Sequence, residues 1–208
     1  MPNKNDNTQE IGLEELMEFL LPEFEPTLKL ADPSLVLLYK NLETRDLWLD
    51  TEINWRNCSF LIQYIQYLNI YEANNPNPKP IYLHIMSNGG ELPTMFALYN
   101  TVKNSRIPII TINESACHSA AFIVFLAGKE RRMNPDGVFC AHEGSGGVGG
   151  TYRESKAAMA NYEKDVARMR EIIAQETNLS TEEVEQHFSQ ESDWYIRYDE
   201  ATKLGVLK

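Results

Sequence analysis

Ser119, His142 and Asp193 are the side chains of this chain whose types and order could carry nucleophilic chemistry. An apolar strand, 107–112, ends near Asn113, and a helix of small and then apolar residues begins near Ser119. A serine at a helix N-terminus is commonly just a cap. The other reading is that its hydroxyl projects from the turn as a nucleophile. Acyl transfer then needs a base, an acid to hold the base, and two amide donors for the oxyanion. His142 closes the short apolar strand GVFCAH and is followed by Glu143 and glycines. A lone histidine there is more often structural, and Asp193, in ESDWYIRYDEATKLGV, could pass as a helix cap. For the donors, Ser87-Asn88-Gly89-Gly90 directly follows the apolar strand PIYLHIM. Paired glycines let the backbone turn sharply and leave amide hydrogens unshielded. Gly90 and Ala120, at the ends of neighbouring strands, are the candidate pair. Each signal is modest alone, but together they supply every part that acyl transfer requires.

A frame is needed to bring these parts to one edge. A short amphipathic helix from Ser34 runs into a strand at 46–49. A helix over 57–73 follows, with Phe60, Ile62, Tyr64, Ile65 and Leu68 on its apolar face. Then come a loop at 74–80, a strand at 80–86, a helix at 91–104 and a strand at 107–112. That last strand is apolar throughout, as expected of a parallel strand covered on both faces. A helix at 119–127, a strand at 138–141, a glycine-rich loop at 144–150 and a long charged helix at 153–176 complete the pattern. Strands alternating with helices predict an α/β fold of βαβ units with right-handed crossovers and a mainly parallel sheet. Residues 1–33 stand apart as a variable extension. Leu13 to Leu21 have helical spacing among glutamates, and Pro22, Pro26 and Pro33 punctuate the remainder of that extension. Residues 34–208 read as one domain.

Composition narrows the classes. A net charge of -11 argues against a phosphate-binding surface, so no nucleic-acid partner is expected. Cys58, Cys117 and Cys140 are too few and scattered for a disulfide framework, and neither they nor the four histidines form a metal-ligand pattern. The polar start MPNKNDNTQE lacks the apolar core of a secretory signal, and the longest apolar run, 120–127, is far short of a membrane span. A cytoplasmic protein, without membrane or metal, is the expectation.

From Arg45 onward the chain resembles the ClpP family of serine peptidases. RDLWLDTEINWRNCSFLIQYIQYLNIYEANN is similar to that family's opening strand and helix, and IYLHIMSNGGELPTMFALYNTV to its strand, paired-glycine loop and helix. SAAFIVFLAG sets Ser119 nine residues before the glycine of an Ala-Gly pair, GVFCAH resembles the strand that delivers the histidine, and SDWYIRYDEATKLGVL the acid segment. The resemblance covers residues 34–208 in order. It implies the ClpP/crotonase-like β-superhelix of βαβ units, with the helix at 153–176 as a protruding handle. It further implies a proteolytic subunit of an ATP-dependent protease, a serine endopeptidase cleaving unfolded polypeptides inside an oligomeric chamber. Ser119, His142 and Asp193 would be its triad and the Gly90 and Ala120 amides its oxyanion hole. Gly89, Glu91, Leu92, Glu143 and Gly144 would line the substrate strand. Homo-oligomeric heptameric rings, stacked face to face, and an AAA+ unfoldase would be the partners. No cofactor is needed.

The chain departs from the pattern beside the nucleophile. Cys117 and His118 stand where the family has small side chains, Asn88 replaces the proline common before the glycines, and Pro93 removes an amide just after them. Glu143 and Gly144 replace the usual glutamine and proline, and a carboxylate approaching His142 would raise its pKa. These departures keep open a catalytically silent ring subunit; a crotonase-type acyl-CoA enzyme, which shares the fold and the oxyanion-hole logic, has less support, and a plain interaction module is the third rival.

Overall fold

A computed structural model describes residues 32–144, 149–190 and 193–208. The segment Leu13–Leu21 and the middle of the 144–150 loop lie outside the described residues. The chain divides between Lys40 and Asn41, and the elements from Asn41 onward form the unit that carries the site. Helix α1, Pro33–Thr44, spans that division and has no buried residue.

The second unit alternates strand and helix, as the pattern predicts. Its elements are β1 Asp46–Leu49, α2 Trp55–Tyr71, β2 Ile81–Ser87, α3 Leu92–Lys103, β3 Ile109–His118 and α4 Ala120–Leu126. They continue with β4 Glu130–Met133, β5 Val138–Ala141, α5 Tyr152–Glu176, α6 Thr181–Gln190, β6 Trp194–Ile196 and α7 Tyr198–Lys203. The sheet order is β1-β2-β3-β5-β6, with β4 also paired to β3. Every pairing is parallel except β5 with β6.

Burial explains the layering. Strand β2 alternates buried and less buried residues, so the sheet has one covered face and one more open face. Helix α4 is apolar on all sides and buries all seven of its residues. It lies against β2, β3 and β5 on one side and against α3 and α5 on the other. Helix α5 starts at a capping box in which Thr151 and Glu154 satisfy each other's backbone amides. Its buried residues, Val166, Met169, Ile172, Ile173 and Glu176, all fall in its second half.

Strand β3 is longer than the apolar run that announces it. Regular pairing with β2 ends at Ile85 and Asn113, then resumes with Ser87 opposite Cys117 after an irregularity in register. The polar stretch NESA conceals this continuation, which carries the strand to His118. Beyond the irregularity the other edge of β3 changes partner, from β4 at Ile110–Asn113 to β5 at Ala116–His118. Such irregularities re-aim the side chains that follow them, here those of His118 and Ser119.

A charged network sits under the carboxyl end of α5. Arg131 on β4 is 2% exposed, and its Nη2 donates to the carbonyls of Glu176 (2.8 Å) and Gly205 (3.0 Å). Burial holds its pKa down at about 10 despite the nearby Glu176 charge. The buried Glu176 carboxylate pairs with Lys103 and accepts from the Tyr99 hydroxyl at 3.2 Å. Glu176→Ala would remove the carboxylate that offsets the buried Arg131 guanidinium and that pairs with Lys103 and Lys208. Leaving a buried charge without its counter-charge costs about 3 kcal/mol or more. The melting temperature is expected to fall by roughly 6–12 °C in a thermal scan.

Candidate active site

The turn at Ser119 is built from one residue. Strand β3 ends at His118 and helix α4 begins at Ala120, so Ser119 alone reverses the chain, at φ 55 and ψ -125. Besides Arg45, it is the one non-glycine residue with positive φ among the described residues. L-residues are strained there, and a strand-to-helix turn of this kind lifts a serine hydroxyl clear of the backbone. Ser119 occupies the N-cap position of α4 but makes no side-chain cap hydrogen bond. The bland explanation for a serine at this point, that its oxygen caps the helix, is therefore not what the structure contains.

The paired-glycine loop packs directly on this turn. A Cβ on Gly89 would stand 2.8 Å from Ser119 Cβ and 2.9 Å from the Ala120 nitrogen, and one on Gly90 would overlap the Ile53 carbonyl. Both glycines have positive φ, 98 and 153. Ile53 donates its amide to the Gly89 carbonyl (2.8 Å), and its own carbonyl accepts from Glu91 (2.7 Å). In a trans peptide the N–H points opposite to the C=O, so the Gly90 amide faces away from Ile53. Among the described residues, the Gly90 and Ala120 amides donate to no protein acceptor. Glu91 is differently placed: its amide is held by Ile53, its carbonyl accepts from Met95 and its carboxylate from Thr94. Leu92 and Pro93 form the first turn of α3, where a missing amide costs nothing.

The sheet brings the other two residues to the same edge. Ser119 donates its amide to the Cys140 carbonyl at 2.6 Å, which ties the turn to the strand that ends just before His142. In the antiparallel β5–β6 ladder Phe139 faces Ile196 and Ala141 faces Trp194. One further step makes His142 and Asp193 direct partners. His142 Nδ1 stands 3.8 Å from Asp193 Oδ1, with the side chains 25% and 47% exposed. That is beyond hydrogen-bond reach, and such contacts often tighten only when substrate is bound.

The loop after His142 is tied to α5. The Tyr162 hydroxyl donates to the Glu143 carbonyl at 2.7 Å, and the Glu143 carboxylate pairs with Arg170. Glu143 therefore spends its charge on Arg170 rather than on His142. Gly144 has φ 91, and a Cβ there would press on the Tyr162 hydroxyl. Ile53, Tyr162 and Arg170 carry no signal in the sequence, because each acts across a long stretch of chain. The nearby thiols are not rival nucleophiles. Burial pushes Cys117 well above its ordinary pKa, and Cys140 is raised by burial and then by the Asp193 charge. Among the described residues no group of three or more His, Cys, Asp or Glu side chains could hold a metal ion. No helix among them is long and apolar enough to cross a membrane.

A mainly parallel α/β sheet with a strained serine turn at its carboxyl edge is the arrangement in which α/β hydrolases, peptidases among them, present a serine. The model of the Clp protease family matches residues 32–208. The proteolytic subunit 2 of the ATP-dependent Clp protease from Treponema denticola is 28% identical over 173 residues, covering 82% of this chain and 84% of that one. The subunit of the same name from Treponema pallidum is 25% identical over 174 residues, covering 83% and 84%. Among solved structures, a ClpP1 mutant from Listeria monocytogenes matches with a TM-score of 0.70 at 20% identity, over 82% of this chain and 93% of that one. The chain belongs to the Clp protease family and has the ClpP fold.

Proposed function

We propose that Ser119, His142 and Asp193 are the catalytic triad of this Clp-family serine endopeptidase, with the Gly90 and Ala120 amides as its oxyanion hole. The observation that carries the assignment is the strained Ser119 turn, whose hydroxyl caps nothing and which abuts the glycine loop. His142 takes the proton from the Ser119 hydroxyl as the oxygen attacks a peptide carbonyl, and Asp193 holds the imidazole tautomer and balances the imidazolium. The two amides receive the oxyanion of the tetrahedral intermediate. The proton then passes from His142 to the departing amine. Water, deprotonated by His142, releases the acyl group from Ser119.

Substrate would lie as an extended strand beside the open side of Gly89–Gly90 and along Glu143–Gly144, bound through its main chain and therefore with little dependence on its sequence. The names of the Treponema relatives support an ATP-dependent partner, an AAA+ unfoldase delivering unfolded polypeptide. Heptameric rings stacked through the α5 handle, in the cytoplasm, would complete the chamber.

A fluorophosphonate probe tests the assignment. Wild type is expected to give an adduct that peptide mapping places on Ser119, while Ser119→Ala gives none. The 3.8 Å separation of His142 from Asp193 favours one other reading, a silent ring subunit. Assembled wild-type protein, verified by light scattering, that forms no Ser119 adduct would establish that reading instead.

A further inference from the structure

A second histidine lies beside the His142–Asp193 pair. In register, His118 on β3 faces Cys140 on β5, and Cys140 faces Tyr195 on β6. The neighbouring row, Cys117, Phe139 and Ile196, is fully buried, so His118, Cys140 and Tyr195 share the opposite face of the sheet. By the same alternation His142, two residues after Cys140, and Asp193, two before Tyr195, lie on that face too. The His118 ring meets Tyr195 edge-on at 6.2 Å. Its Nε2 is buried, and among the described residues no group hydrogen-bonds it. An imidazole nitrogen so placed is not spent on holding the fold, and its ring belongs to the residue diagonal, across the β3–β5 pairing, to the group that must accept the Ser119 proton.

We propose that His118 is a positioning residue for the His142–Asp193 pair. Uncharged, it leaves Asp193 to His142. Protonated, it draws Asp193 toward itself and opposes the imidazolium that His142 must become. The titratable groups facing it are Cys140 and His142 from β5 and Asp193 and Tyr195 from β6. Burial holds its pKa below the ordinary histidine value, the His142 charge acts in the same direction, and Asp193 opposes both. The neutral ring is thus the form present at neutral pH, and its charge arrives only on the acid side.

This inference rests on the triad reading above and adds a second proton to it. A proton on either imidazole opposes the attack of Ser119, so the acid limb of nucleophile reactivity should steepen where His118 also takes one up. The experiment is the rate of fluorophosphonate labelling of Ser119 against pH, for wild type, His118→Asn and His118→Ala. The logarithmic slope for wild type is expected to rise from one toward two as pH falls, while both variants stay at one. One pH unit into the steep region, the variants would keep roughly tenfold more of their plateau rate than wild type. Thermal melting and light scattering verify that each variant is folded and assembled. The larger-to-smaller change in Ala and the near-isosteric Asn guard against one of them failing to fold. A wild-type limb of slope one throughout, or variants as steep as wild type, would overturn the role of His118 while leaving the triad intact. No Ser119 adduct at any pH would overturn both.

Discussion

Ser119→Ala is expected to lower kcat/KM for a fluorogenic peptide by on the order of 10^5- to 10^6-fold, the scale seen when a triad nucleophile is removed. The expectation follows from the construction of the turn. A single residue joins β3 to α4, so no neighbouring hydroxyl can take its place. The two nearby thiols are pushed toward their unreactive protonated forms by burial. The change removes one oxygen that forms no cap bond, so folding should be almost untouched. Matched circular dichroism and assembly, together with a lost rate, would confirm that the loss is chemical. A variant that keeps even one per cent of wild-type turnover would place the nucleophile elsewhere.

Gly90→Ala should cost about 10^2- to 10^3-fold in kcat, the scale of losing one oxyanion donor. A methyl group at this position would occupy the space of the Ile53 carbonyl and its backbone. The loop must then give up its pairing with Ile53, and the peptide that aims the Gly90 amide rotates with it. Because charge on the oxygen develops only in the transition state, KM should change far less than kcat. Steady-state kinetics on a short peptide separate the two. A rise in KM with kcat unchanged would mean that the loop binds substrate without stabilising the intermediate.

Much of the fold was legible because long alternating segments report their own burial. The βαβ order, the limits of β1 and β5 and the long helix α5 all follow from apolar periodicity. Strands β4 and β6 did not, for physical reasons. β4 is ERRM, whose two buried residues are Met133 and an arginine held by two backbone carbonyls rather than by apolar contact, so no apolar alternation shows. β6 has only three residues, too few to show a period. For the site, residue types pointed to Ser119, His142 and Asp193, but not to how they meet. The pairing of Ile53 with the glycine loop and the tie from Arg170 to Glu143 join residues 27 or more positions apart, and no local pattern encodes them. His118 showed itself only as a departure from a familiar segment. Its row on the open face of the sheet emerged from strand register alone.

The antiparallel pairing of β6 has a thermodynamic side. It is a three-residue strand at the edge of the sheet, held on one flank by β5, and Asp193 sits just outside its first hydrogen-bonded pair. Edge elements open more readily than central ones, and what holds β6 down is the burial of Trp194 and Ile196 in the core. Ser119, by contrast, is fixed between a central strand and a completely buried helix. The proposed nucleophile therefore sits where the sheet is braced on both flanks, and the proposed acid where it is braced on one. Opening of β6 would carry Asp193 away from His142, and the burial of Trp194 and Ile196 sets what that opening costs.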